Sequence, residues 1–242
     1  MNDFLIEVGA LAFVGVLLLI ALWPTDKTSA KVLRKWRVAD PTPAQVAESK
    51  VYLKRRRLLY PWLFLAISSA GYRVFPGSDF IGTEILLTVL AGMLLAELIA
   101  SLRPSKGTRR EAVLVPRGVL DLVPAWGLVV FGLGAVLALV VFLLARPTPA
   151  AGIIALVFCV VAVLGAVLLA VQRPSSGDGS VDTAFRVRSA RVALGLGVAL
   201  TGLLCTMAPV GGFVVPALVL VLIGLGWNLV GPPPRDEVPA RG

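Results

Sequence analysis

Seven long apolar runs, each close to the ~20 residues that carry a helix across a bilayer, account for most of this chain. They cover residues 4–23, 58–75, 80–100, 122–145, 151–171, 192–209 and 213–230. The last two belong to one uncharged stretch, too long for a single crossing, which Pro209-Val210-Gly211-Gly212 divides. The pattern predicts an all-α fold: one polytopic membrane domain over residues 1–242, a transmembrane bundle of seven helices with short connections. Three tight turns, at Pro76-Gly77-Ser78-Asp79, Arg146-Pro147-Thr148-Pro149 and Pro209–Gly212, predict hairpins of spans two and three, four and five, and six and seven.

Composition supports lipid as the solvent. Hydrophobic residues make up 57% of the chain and charged ones only 15%, and the mean hydropathy is +0.89. A water-soluble domain of that make-up could not clothe its surface in polar groups. Before the first run stands Met1-Asn2-Asp3, and the run exits at Leu22-Trp23-Pro24, unlike the basic start and small-residue exit of a cleaved leader. A permanent first helix is expected.

The basic residues fix the expected orientation. Ten lie between the first two runs: Lys27, Lys31, Arg34, Lys35, Arg37, Lys50, Lys54, Arg55, Arg56 and Arg57. The third-to-fourth connection adds five, the fifth-to-sixth adds Arg173, Arg186, Arg188 and Arg191, and the tail adds Arg235 and Arg241. With an odd number of spans, only Arg73 and Arg146 of the 23 Lys and Arg fall on the other side. Moving Lys or Arg outward against the membrane potential is disfavoured, so the crowded side is cytoplasmic, the N-terminus outside and the C-terminus inside. Trp23, Trp62, Trp126 and Trp227 lie at the cytoplasmic ends of spans, as interfacial aromatics do. The net charge of +9 is then explained by this bias and by anionic lipid headgroups rather than by nucleic acid. Usage rich in Ala, Val, Leu, Gly and Arg points to a bacterial protein, hence to a bacterial plasma membrane.

Residues 24–57 contain two amphipathic stretches. In one, Val32, Leu33 and Trp36 cluster at helical spacing among basic residues. In the other, Thr42-Pro43-Ala44-Gln45 reads as a capping box with proline at the first helical position, opening a helix that runs through Lys54–Arg57 into span two and bends near Pro61. Two readings stand for Trp36, Lys54, Arg55, Arg56 and Arg57. They hold the chain on anionic lipid, or they dock a membrane-protein or cytoplasmic partner such as a transport ATPase.

Ionisable groups within apolar runs are candidate functional residues because placing them in lipid is costly. Arg73 and Glu84 flank one tight turn and form a candidate intramembrane polar pair, structural or part of a transport site. Glu97 lies nearly four turns from Glu84 on the same run, roughly 20 Å away, and is expected to reach the cytoplasmic headgroups near Arg103. Ala193, Gly197 and Thr201 recur every fourth residue in span six, a spacing that lets helices approach closely. The Gly-x-Gly pairs at 132/134, 195/197 and 224/226 sit inside helical runs and are not phosphate loops.

Histidine is absent. That removes histidine-based serine, zinc and haem chemistry, and no nucleotide-binding motif or mid-membrane aspartate pair is present. Cys159 and Cys205 each sit in an apolar run, read as small packing residues without a disulfide framework. No cofactor, metal site or catalytic residue is expected. Two function classes remain: a non-enzymatic assembly or regulatory component of a membrane complex, or a permease-like subunit for a small apolar solute, energised by a separate ATPase.

Overall fold

The computed structural model describes residues 13, 16–17, 19–20, 23–36, 38, 40–74, 81–102, 118–145, 150–172, 178–207 and 214–231. Among them the fold is all-α. Seven α-helices follow one another: α1 (Asp26–Lys35), α2 (Pro43–Val74), α3 (Ile81–Leu102), α4 (Ala125–Leu144), α5 (Ala150–Gln172), α6 (Gly179–Leu204) and α7 (Val214–Val230). Short 3-10 turns precede α4 and follow α6. The first apolar run and the three turns at 76–79, 146–149 and 209–212 lie outside the described residues, or almost wholly so.

Four stretches are long and apolar enough to cross a membrane: Ile85–Leu102, Ala125–Leu144, Ala150–Gln172 and Gly179–Met207. The apolar helix at Val215–Val230 is shorter. The second expected span falls within α2, which is not among those four stretches, so four of the seven expected spans are matched by helices long and apolar enough to cross.

α6 is the axis of the bundle. It packs against α3, α4, α5 and α7, and every side chain from Ser189 to Leu204 is buried. Small residues make this crowding feasible. A Cβ on Gly195 would come within 2.5 Å of the Gly226 carbonyl, and one on Gly226 within 2.5 Å of the Gly195 carbonyl, so α6 and α7 touch backbone to backbone. Ala193, Gly197 and Thr201 all face the interior. A Cβ on Gly197 would collide with Val163 and Phe131, and the Thr201 hydroxyl fills the space above Gly134.

The helices around this axis turn apolar stripes outward. On α4 they are Val129, Leu133, Val136, Val140 and Leu143, at helical spacing, and α5 presents a similar row from Ile154 to Leu168. Such continuous stripes suit hydrocarbon and would drive aggregation in water. Trp62 and Trp227 are 72% and 79% exposed.

Two helices exceed the length that would cross a bilayer. α6 has 26 residues, about 39 Å at 1.5 Å per residue, against a hydrocarbon thickness of about 30 Å. α2 has 32 residues, runs unbroken through Pro61 and is about 48 Å long. Their surplus lengths meet at one end and, with α1, enclose a second small core of Leu33, Trp36, Val38, Val181, Ala184 and Phe185. This corrects two expectations. The sixth helix begins at Gly179 rather than near 192, so Arg186, Arg188 and Arg191 belong to a helix and not to a loop. Trp36 is only 7% exposed and packs in that core, so it is not a lipid or partner contact.

Candidate functional site

The capping box opens the helix that carries the site. Gln45 N–H donates to Thr42 Oγ1 (3.3 Å) and Thr42 N–H to Gln45 Oε1 (2.9 Å). The Gln45 amide also donates to Asp178 Oδ2 (2.9 Å), the N-cap of α6. Asp178 in turn accepts from the N–H groups of Ser180 and Val181. Hydrogen bonds from Ser180 and Gln45 hold the Asp178 carboxyl below its ordinary range. The starts of α2 and α6 are thereby tied together.

Along α2, Tyr52 and Arg56 lie on one face, one turn apart. Glu97 of α3 and Ser189 of α6 meet them. Arg56 and Glu97 are 3% and 0% exposed, and Arg56 Nε stands 2.6 Å from Glu97 Oε2. Glu97 Oε1 accepts from Ser189 Oγ (2.6 Å) and Tyr52 Oη (3.0 Å), with Arg188 Nη1 at 3.9 Å. Tyr52 stacks on Phe185, ring centroids 4.3 Å apart. Ser101 Oγ donates to the Glu97 carbonyl (2.8 Å) and lies 3.1 Å from Ser189 Oγ. Two hydroxyl protons thus serve three contacts. With Ser189 donating to the carboxylate and Ser101 to the carbonyl, both protons are placed on Glu97.

Glu97 is accordingly not a headgroup-seeking residue, and Arg56 is not a surface docking residue. A carboxylate sealed from water needs a partner within the protein, and α2 supplies it.

Two further arginines act on neighbouring helix ends. Arg186 pairs with Asp182 (Nε–Oδ2 2.6 Å) and donates to the carbonyls of Ala170 (3.1 Å) and Val171 (3.4 Å), at the C-terminus of α5. Arg191 Nε donates to the Leu229 carbonyl (3.4 Å), at the C-terminus of α7. Terminal helix carbonyls lack intrahelical partners and carry partial negative charge, which cations satisfy. One stretch of α6, from Asp182 to Arg191, therefore gathers the same-facing ends of α3, α5 and α7.

The remaining expected residues are spread out. Lys54 and Arg55 are exposed and Arg57 is half-buried; the Lys54 ammonium lies 5.1 Å over the Trp23 ring. The side chains of Arg73 and Glu84 lie outside the described residues. Cys159 and Cys205 are buried free thiols, whose Sγ atoms approach the Gly197 and Thr201 carbonyls respectively.

Sequence reasoning missed Tyr52, Ser101, Asp182, Arg186, Arg188, Ser189 and Arg191 as one constellation. The i,i+4 spacing of Asp182 and Arg186 was the available signal.

Glu97 thus ties three helices together, with Oε2 ion-paired to Arg56 of α2 and Oε1 accepting from Ser189 of α6 and Tyr52 of α2. No protein-family model, curated protein or solved structure matches this chain.

Proposed function

We propose that this protein is a multi-pass integral membrane protein of the bacterial plasma membrane that serves as a non-enzymatic assembly or regulatory component of a membrane complex. In this reading the seven spans expected from the sequence cross the bilayer, the N-terminus is outside, and the clasped end of the bundle, with α1, faces the cytoplasm. The observation that carries this reading is the Arg56–Glu97 clasp beneath an axis filled by α6. A bundle whose centre is packed with Gly, Ala, Leu and Val side chains, and whose buried charges are spent on joining helices, is built to present surfaces. The outward apolar stripes of α4 and α5 offer those surfaces to lipid or to other membrane helices. A permease would need a route for solute where α6 stands.

The test is purification from native membrane in mild detergent, paired with thermal unfolding across a panel of small apolar solutes. Stoichiometric recovery of membrane proteins with unchanged melting across the panel supports the reading. Solute-dependent stabilisation without partners refutes it.

A further inference from the structure

The basic residues before span two do not form one surface. α1 and α2 run antiparallel: Lys54 lies over Trp23 and Lys50 bonds Asp26 at 2.9 Å, so rising numbers on one meet falling numbers on the other. Since α2 proceeds from Lys54 towards its apolar half, α1 runs the opposite way, away from the bilayer. Its apolar side chain Leu33, with Trp36 at its end, is already spent on Val181 and Phe185 of α6. α1 therefore cannot lie flat and insert that face into lipid as a free amphipathic helix would.

The opposite face of α1 carries Lys27, Lys31, Arg34 and Lys35, at i, i+4, i+7 and i+8, all exposed. The one carboxylate of this helix, Asp26, is engaged by Lys50. Lys31, Arg34 and Lys35 lie about 8, 12 and 14 Å along the axis from Asp26, at or beyond the screening length of about 8 Å at physiological ionic strength. Bilayer charge is weakly felt there. Lys54, over the Trp23 ring, and its neighbour Arg55 take the headgroup-level place in this arrangement.

We propose that the Lys31–Arg34–Lys35 edge of α1 is a docking surface for an acidic segment of a cytoplasmic partner protein, separate from the lipid-facing cations Lys54 and Arg55. It deepens the assembly reading and rests on it. Recognition is electrostatic, set by a row of cations on a rigid helix whose other side is anchored in the protein.

The test is site-specific photo-crosslinking of the full chain in native membranes, with a photoreactive side chain at Lys31 or, separately, at Arg55. Position 31 is expected to give discrete protein adducts whose cross-linked peptides are net acidic, and position 55 to give phospholipid adducts. Reversing Lys27, Arg34 and Lys35 to Glu in the Lys31-labelled chain should cut the protein adduct about tenfold or more. All these residues are exposed, and unchanged melting shows that the variant folds. Phospholipid as the main adduct at position 31, or protein adducts indifferent to charge reversal, overturns the proposal. If membrane partners still co-purify in that case, the assembly reading survives and only the α1 surface is lost.

Discussion

Arg56 and Glu97 face each other across α2 and α3, 2.6 Å apart and sealed from solvent. Removing either alone strands a charge. Glu97→Leu and Arg56→Met are each expected to cost about 3–5 kcal/mol, whereas the double variant should recover much of that loss because an apolar pair leaves no charge unsolvated. Thermal unfolding in a fixed detergent checks this. Additive losses would show that the pair is not a unit. Tyr52→Phe deletes one donor and should cost about 1 kcal/mol.

Arg186 should be sensitive to shape as well as charge. Its guanidinium reaches Asp182 and two carbonyls of α5 at once, and a lysine ammonium cannot reproduce that fork. Arg186→Lys is expected to loosen the α5 C-terminus, read as faster amide exchange near Ala170 and Val171, while exchange in the centre of α4 stays unchanged. Equal exchange in both proteins would contradict the clasp.

Three glycines of α6 and α7 separate packing from propensity. Gly195→Ala and Gly226→Ala drive a methyl to within 2.5 Å of a facing carbonyl, so the helices must part. Each is expected to destabilise by about 1–3 kcal/mol. Gly224, on the same helix, has open space around its Cβ position. Gly224→Ala should be neutral or mildly stabilising through helix propensity, by up to about 1 kcal/mol. Melting temperatures of the three variants decide it.

Two carboxyls at the clasped end give opposite pH effects. Asp178 is depressed by hydrogen bonds from Ser180 and Gln45, so its contribution is present above its unfolded value and is lost as pH falls through the lower folded value. Asp178→Ala should cost about 1 kcal/mol at neutral pH as a lost N-cap, and the difference should shrink in acid. Glu48 is raised mainly by burial, so its ionisation opposes folding at neutral pH. Glu48→Gln is expected to stabilise there, with the gain vanishing once pH drops below both its folded and unfolded values. Stability measured from pH 7 to pH 3 tests both signs.

Much of this architecture follows from patterns short enough to read along the chain. The Thr42–Gln45 capping box, the long helix through Pro61 and the apolar helices at 81–102, 125–144 and 150–172 follow from local spacing and hydropathy. The start of α6 was hidden because Arg186, Arg188 and Arg191 lower hydropathy over its first turns. Hydropathy cannot tell a solvated arginine from one capping a neighbouring helix. The same ambiguity concealed Arg56 among three basic neighbours. Its partner lies 41 positions away (residues 56 and 97), and only folding brings that carboxylate to it. Trp36 misled for a related reason: an amphipathic helix reads alike whether its apolar side meets lipid or protein.

The central claim is that lipid surrounds this bundle and that an odd number of crossings places the clasped end in the cytoplasm. Activity reporters fused separately to the N-terminus and the C-terminus test it most directly. The N-terminal fusion should be active only as an external reporter and the C-terminal fusion only as a cytoplasmic one; both reporting the same side would contradict the account.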